Sequence, residues 1–213
     1  MVENNNKIIV IDGLIGAGKT TLIEKLKEKY KNIIFVKEPV EKFMEYKQYN
    51  PLKLSYEDKR NCSISQLHIT NCLLDHFKNI FQNNENKIIV TERGLLSPKI
   101  FTYLYRKCGY ITDFEYDFIN DYGEEKIKNI FGDKFPIDGI FYIDIPIDKA
   151  LERIKKRNRD GEDKIDLEYL QNLDDIFKLT LSENEYKFPI KIVKYNNPHL
   201  IEKFIEFYNK FID

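Results

Sequence analysis

The sequence predicts an α/β fold with a mainly parallel sheet. Three observations predict it. Five short, apolar, β-branched runs recur along the chain, at residues 7–12, 32–37, 87–91, 139–145 and 190–195. Each has strand length and nearly continuous apolar character, the pattern of strands covered on both faces. Segments with helical apolar spacing lie between them, and strands alternating with helices pair in parallel. The third observation is a glycine-rich loop that joins the first run to the first helix.

The elements follow in order. Residues 7–12, Lys-Ile-Ile-Val-Ile-Asp, form the first strand. Residues 20–30 set Leu22, Ile23 and Leu26 against Glu24, Lys25 and Lys27, an amphipathic helix. After the second strand, residues 39–58 are polar, irregular and rich in tyrosine, and are expected as a surface excursion. Residues 61–81 carry Ile64, Leu67, Leu74, Phe77 and Ile80 at helical spacing. The remaining helices are expected at 98–107, 113–130, 148–158, 167–182 and 198–211. There is no internal repeat and no Pro/Ser/Gly-rich linker, so residues 1–213 are expected to form one domain.

Composition excludes several classes. Hydrophobic residues at 42% can supply a core, which argues against a disordered chain. Lys and Arg number 34 against 35 Asp and Glu, so no global basic field points to a nucleic-acid polymer or an anionic membrane. Cys62, Cys72 and Cys108 form no CxxC pair and read as small buried side chains. His68, His76 and His199 lack the partners of a metal set. No apolar run has membrane-spanning length, and residues 1–6 are polar, so the expected setting is cytoplasmic. Clusters of rare residues say more than the averages. Three of nine glycines fall within six residues, and three of six arginines within seven.

The glycine cluster is Gly13-Leu-Ile-Gly16-Ala17-Gly18-Lys19-Thr20, a GxxxxGK[ST] phosphate-binding loop in strand–loop–helix context. Glycines let successive N–H groups face inward at a helix N-terminus whose dipole favours anions. Lys19 can reach the outer phosphates of a nucleoside triphosphate, and the Thr20 hydroxyl can ligate Mg²⁺. The loop alone does not choose between kinase, GTPase and motor.

Two further strand ends narrow the choice, because ligands of open α/β sheets sit beyond the carboxyl ends of strands. The second strand runs into Glu38-Pro39-Val40, which places a carboxylate there before proline turns the chain away. The third ends in Thr91-Glu92-Arg93-Gly94, an acid suited to Mg²⁺ beside an arginine suited to an oxyanion. After the fourth strand come Arg153, Arg157 and Arg159. The first two share a helix face, and the helix is expected to end at Asp160-Gly161. Such a cluster before a loop can close over a triphosphate.

Together these segments resemble the deoxynucleoside kinase family, over roughly residues 7–182. The resemblance implies a P-loop kinase fold, with a five-stranded parallel sheet flanked by helices and an arginine-rich lid at about 153–165. It implies ATP with Mg²⁺ as donor, a deoxyribonucleoside as acceptor, and a homodimer. Gly13, Gly16, Ala17, Gly18, Lys19, Thr20 and Thr21 then form the phosphate cradle, and Thr20 and Glu92 the metal side. Glu38 matches the base that accepts the 5′-hydroxyl proton. Arg93 matches the arginine that holds that oxygen and the base. Arg153, Arg157 and Arg159 match lid arginines on the phosphates, with Arg157 also near the reacting oxygen. Gln66 matches the glutamine that reads the nucleobase, and Phe101 the aromatic that stacks on it. Tyr56 and Glu162 match the pair on the sugar 3′-hydroxyl. Arg60 and Arg106 are left without a role.

The sequence departs from the family at several points. Gly94 replaces a usual serine, which predicts a looser turn. Phe43 stands where tryptophan is frequent and keeps an aromatic wall. Ile69, Leu73 and Pro98 give an apolar lining, whereas purine-accepting and deoxycytidine-type relatives are polar or charged at the last two. That lining resembles the pyrimidine-preferring branch. Three alternatives stay open: a nucleoside monophosphate kinase of thymidylate kinase type, a GTP-dependent switch, and a nucleotide-binding protein without turnover. The switch should carry an NKxD motif, and Asn86-Lys87-Ile88-Ile89 lacks the aspartate.

Overall fold

The computed structural model describes residues 6–85 and 87–212. The N-terminal reading over residues 1–5, and Asn86 of the Asn-Lys segment, lie outside the described residues. The five expected strands are present as β1 (Lys7–Gly13), β2 (Ile34–Val36), β3 (Ile88–Glu92), β4 (Gly139–Asp144) and β5 (Ile190–Lys194). They form one parallel sheet in the order β2-β3-β1-β4-β5. The helices are α1 (Lys19–Lys29), α2 (Val40–Phe43), α3 (Pro51–Glu57), α4 (Cys62–Asn83), α5 (Ser97–Lys107), α6 (Asp113–Phe131), α7 (Ile147–Arg157), α8 (Leu167–Glu183) and α9 (Leu200–Tyr208).

Burial follows strand position. Ile8, Ile9, Val10 and Ile11 of the central β1 are all within 1% of full burial. The edge strands β2 and β5 are only half covered, and Ile192 of β5 is 57% exposed. Coverage on both faces therefore holds for the inner strands alone, because an edge strand has a neighbour on one side only. Phe141 of β4 packs edge-on against Phe204 of α9, both fully buried. Burial of this size stabilises by roughly 3 kcal/mol per ring.

The excursion at 39–58 is a correction. It folds as α2 and α3, and Phe43, Pro51 and Ser55 are buried. Asn50 caps α3 by accepting the Lys53 N–H at 2.9 Å, and Pro51 fits the first helical position. These helices are too short and too polar to show helical periodicity. The arginine-bearing helix ends at Arg157, within one residue of the expected 158 and short of Asp160-Gly161. Asn158 takes the left-handed conformation (φ 50°) that closes a helix before Asp160-Gly161 is reached.

The cysteines need a partial correction. Cys62 is fully buried, whereas Cys72 and Cys108 are partly exposed. Arg60 and Arg106 find local partners. Arg60 forks onto Asp58 at 2.6 and 2.9 Å, and Arg106 pairs with Asp113 at 2.7 Å and lies over the Tyr116 ring. No helix among the described residues is long and apolar enough to cross a membrane.

Strand register decides where the chemistry collects. Gly13 pairs with Ile143, Ile11 with Glu92, and Val36 with Thr91. The residues just beyond β1, β2 and β3 therefore share one edge of the sheet. The chain spreads to both sides of β1, so that edge opens a crevice, the usual ligand site of such sheets.

Candidate active site

A cleft of about 1220 Å³ opens at this edge. Every residue named above for the site lines it except Gly13, which forms the end of β1. Gly16 takes φ 84°, and a side chain there would come within 2.7 Å of the Ala150 carbonyl oxygen. Only glycine serves at that position. Gly18 leads into α1, and Lys19 and Thr20 follow on its first turn.

Lys19 is buried, and its ammonium donates to the carbonyls of Gly13 and Leu14 at 3.0 and 3.1 Å. Burial, and then the nearby Arg93 charge, lower its pKa to about 8. Thr20 donates its hydroxyl to Glu92 Oε1 at 2.6 Å, so two hard oxygen donors meet at the loop mouth. That pair suits Mg²⁺, which keeps several waters and is bound through one or two carboxylates plus substrate phosphates.

Beyond the loop, Arg93 Nε meets Glu38 Oε1 at 2.9 Å, with both groups largely buried. Burial opposes the Arg93 charge, but Glu38 and then Asp12 outweigh it and hold its pKa above the ordinary arginine range. Arg93 sits at φ 61°, and its backbone N–H donates to Ile11 O at 3.0 Å. The turn is not loose at Gly94. A Cβ there would lie 2.8 Å from Val10 Cγ2 and 3.1 Å from Ile137 Cδ1. Glycine lets the turn pack flat against β1.

The far end of the cleft is apolar. Phe43, Ile69, Leu73, Pro98 and Phe101 line it, and the Arg93 guanidinium lies 5.3 Å from the Phe101 ring centre. Gln66 is 1% exposed and donates Nε2 to Pro98 O at 3.2 Å. Tyr56 reaches the same cleft from α3.

The lid arginines line the cleft, and each is held there by a protein partner. Arg153 donates Nη1 to the carbonyls of Gly16 and Ala17, at 3.2 and 3.1 Å, and lies 5.0 Å from the Tyr195 ring. Arg157 grips Glu162 through two bonds, at 2.6 and 3.1 Å, and Arg159 reaches the same carboxylate at 3.3 Å. Glu162 is 4% exposed, so a buried carboxylate holds both arginines. The lid is also tied to α3 by Lys53 and Asp160 at 3.0 Å.

Sequence reasoning missed two parts of the cleft. Tyr195, Asn196, Asn197 and Pro198, the loop after β5, line its donor side. The strand-end rule, applied to β5 as it was to β2 and β3, points to them. Asp12 is the other. It accepts from Gly13 N–H at 2.8 Å and from Arg93 Nη1 at 3.2 Å, and no sequence signal separates it from the end of a strand.

A deoxynucleoside kinase family model matches residues 9–213. The chain belongs to the deoxynucleoside kinase family. It is 32% identical over 199 residues to a probable deoxycytidine kinase of fowlpox virus, covering 92% of this chain and 80% of that protein. It is 32% identical over 192 residues to a deoxyguanosine kinase of Dictyostelium discoideum, covering 87% of this chain and 62% of that one. Among solved structures, deoxyadenosine kinase from M. mycoides with dCMP and dCDP bound matches with a TM-score of 0.77 at 25% identity, over 96% of this chain and all of that one. The parallel sheet with its phosphate loop is thus a P-loop kinase fold, and the chain is an enzyme that phosphorylates deoxynucleosides. Relatives named for purine and for pyrimidine substrates stand side by side in this family.

Proposed function

We propose that this kinase transfers the γ-phosphoryl group of ATP to the 5′-hydroxyl of a pyrimidine deoxyribonucleoside, thymidine or deoxycytidine. The observation that carries the reading is the Glu38–Arg93 pair at 2.9 Å, which stands between the phosphate loop and the apolar pocket around Gln66. The apolar Leu73 and Pro98 side chains in the lining support the pyrimidine assignment through their resemblance to the pyrimidine-preferring branch.

The transition state of phosphoryl transfer is loose, so positioning and charge neutralisation do most of the work. Glu38 accepts the 5′-hydroxyl proton, while Arg93 fixes that carboxylate and offers its remaining N–H groups to the acceptor oxygen. Lys19 leaves its two loop carbonyls for the β- and γ-phosphates. Thr20 and Glu92 hold Mg²⁺, which when bound neutralises charge on the phosphate oxygens. Arg157 and Arg159 exchange Glu162 for the triphosphate. The freed Glu162 then joins Tyr56 at the sugar 3′-hydroxyl, so lid closure needs both substrates. Gln66 pairs with the base against Phe101. The same reading makes the working unit a cytoplasmic homodimer of one domain over residues 1–213, and sedimentation equilibrium checks the dimer.

The test is a coupled ADP assay with ATP and Mg²⁺ against thymidine, deoxycytidine, deoxyadenosine, deoxyguanosine and thymidine monophosphate. Turnover led by a pyrimidine deoxynucleoside is expected. Turnover with thymidine monophosphate alone, or none with any acceptor, would overturn the reading.

A further inference from the structure

Arg93 has two carboxylate partners, and only one of them faces the cleft. Glu38 lines it and takes Arg93 Nε. Asp12 does not line it and takes Nη1 at 3.2 Å, with the Arg93 and Asp12 side chains 6% and 5% exposed. Asp12 has two further bonds. Its Oδ1 accepts the Gly13 N–H, the first amide of the phosphate loop, at 2.8 Å, and its Oδ2 accepts from Ser97 Oγ at 3.4 Å. Asp12 therefore ties together the end of β1, the start of the phosphate loop, the start of α5 and the guanidinium beside the acceptor.

We infer that Asp12 is a positioning residue of the kinase reaction, which aims Arg93 and keeps it from collapsing onto Glu38. The inference rests on the reaction proposed above. Arg93 is held at positive φ, so its backbone already fixes where its side chain starts. With a single buried carboxylate in reach, a guanidinium closes a fork onto it through two parallel bonds. Both oxygens of Glu38 would then be drawn onto the guanidinium, which lowers their basicity and turns the carboxylate away from the acceptor proton. Asp12 pulls Nη1 the other way, and Arg93 Nε stands 2.9 Å from Glu38 Oε1 as an ion pair. The Asp12–Gly13 bond sets this geometry relative to the loop that carries the donor phosphates. Because Asp12 does not line the cleft, its effect on catalysis passes through Arg93.

Asp12→Asn separates charge from shape. The amide oxygen can still accept from Gly13 and Arg93, so the loop keeps its support while the pull on Arg93 weakens. The experiment compares the parent enzyme, Asp12→Asn, Arg93→Lys and the double variant, using its best deoxynucleoside acceptor. It reads kcat, KM for ATP, KM for the acceptor, and thermal stabilisation by ATP. Asp12→Asn is expected to lower kcat about tenfold, the difference between a charged and a neutral hydrogen bond. KM for ATP and stabilisation by ATP should stay within about twofold. Added to Arg93→Lys, it should cost no more than a further twofold. A kcat within twofold of the parent, or losses that multiply in the double variant, would overturn the inference. If Asp12→Asn does not fold, Asp12→Glu carries the test. Kept charge should keep kcat within about threefold, and a tenfold loss would overturn it. Failure of the parent enzyme with every deoxynucleoside would instead count against the reaction itself.

Discussion

Replacing Glu38 by glutamine removes one charge and almost no volume. In the structure Glu38 meets Arg93 at 2.9 Å, and Arg93 also holds Asp12 at 3.2 Å. Breaking a buried ion pair typically costs about 3–5 kcal/mol because the surviving charge is stranded. Here Arg93 keeps Asp12, so its charge is not stranded, and the loss shrinks to about 1–2 kcal/mol. For a chain of this size that lowers the melting temperature by roughly 2–8 °C. Catalysis should suffer far more, since a positioned general base contributes about 10²–10⁴-fold. The assay is ADP release coupled to NADH oxidation, run beside a thermal melt with and without ATP. The variant should melt within a few degrees of the parent, retain stabilisation by ATP, and lose at least a hundredfold in kcat. A kcat within threefold of the parent would refute the role of Glu38 as base.

Three other substitutions probe separate parts of the site. Gly94→Ala places a methyl 2.8 Å from Val10 Cγ2 and should destabilise by about 1–3 kcal/mol in a denaturant titration. Adding Val10→Ala should cost less than the two changes separately, because it removes the clash. Gln66→Leu keeps the apolar wall but loses the amide, so kcat/KM for the acceptor should fall about 10–100-fold in steady-state assays while KM for ATP holds. Arg157→Ala leaves Glu162 with Arg159 alone and removes a cation from the transferring phosphoryl group. A loss of about 10²-fold in kcat, seen in single-turnover experiments, is expected.

The strands were legible because β1, β3 and β4 are buried on both faces, which writes a continuous apolar run into the sequence. The phosphate loop was legible for a different reason. Its glycines, lysine and threonine each answer a separate demand of one bound anion. α2 and α3 were not legible, since Phe43 is buried against the cleft and Ser55 beside Tyr105, each as an isolated contact rather than along a helix stripe. Arg153 shows what spacing leaves out. Its position on α7 suggests phosphate contact, and the structure adds that its guanidinium, in the cleft lining, holds two carbonyls of the phosphate loop. Glu162 shows the same limit, because a side chain described by one partner in a resemblance can be held by another before substrate arrives. Asp12 could not be read at all. A buried carboxylate acquires its meaning from Arg93, which lies 81 positions away.

The most direct test of the account is a competition. Thymidine, deoxycytidine, deoxyadenosine and deoxyguanosine, at equal concentration, share one reaction with γ-labelled ATP and Mg²⁺, and the products are separated by chromatography. Relative initial rates then report ratios of kcat/KM. The account predicts labelled 5′-monophosphates, with a pyrimidine product ahead of both purine products. Purine monophosphates in the lead would contradict the pyrimidine assignment, and label at any position other than the 5′-oxygen would contradict the geometry of Glu38 and Arg93.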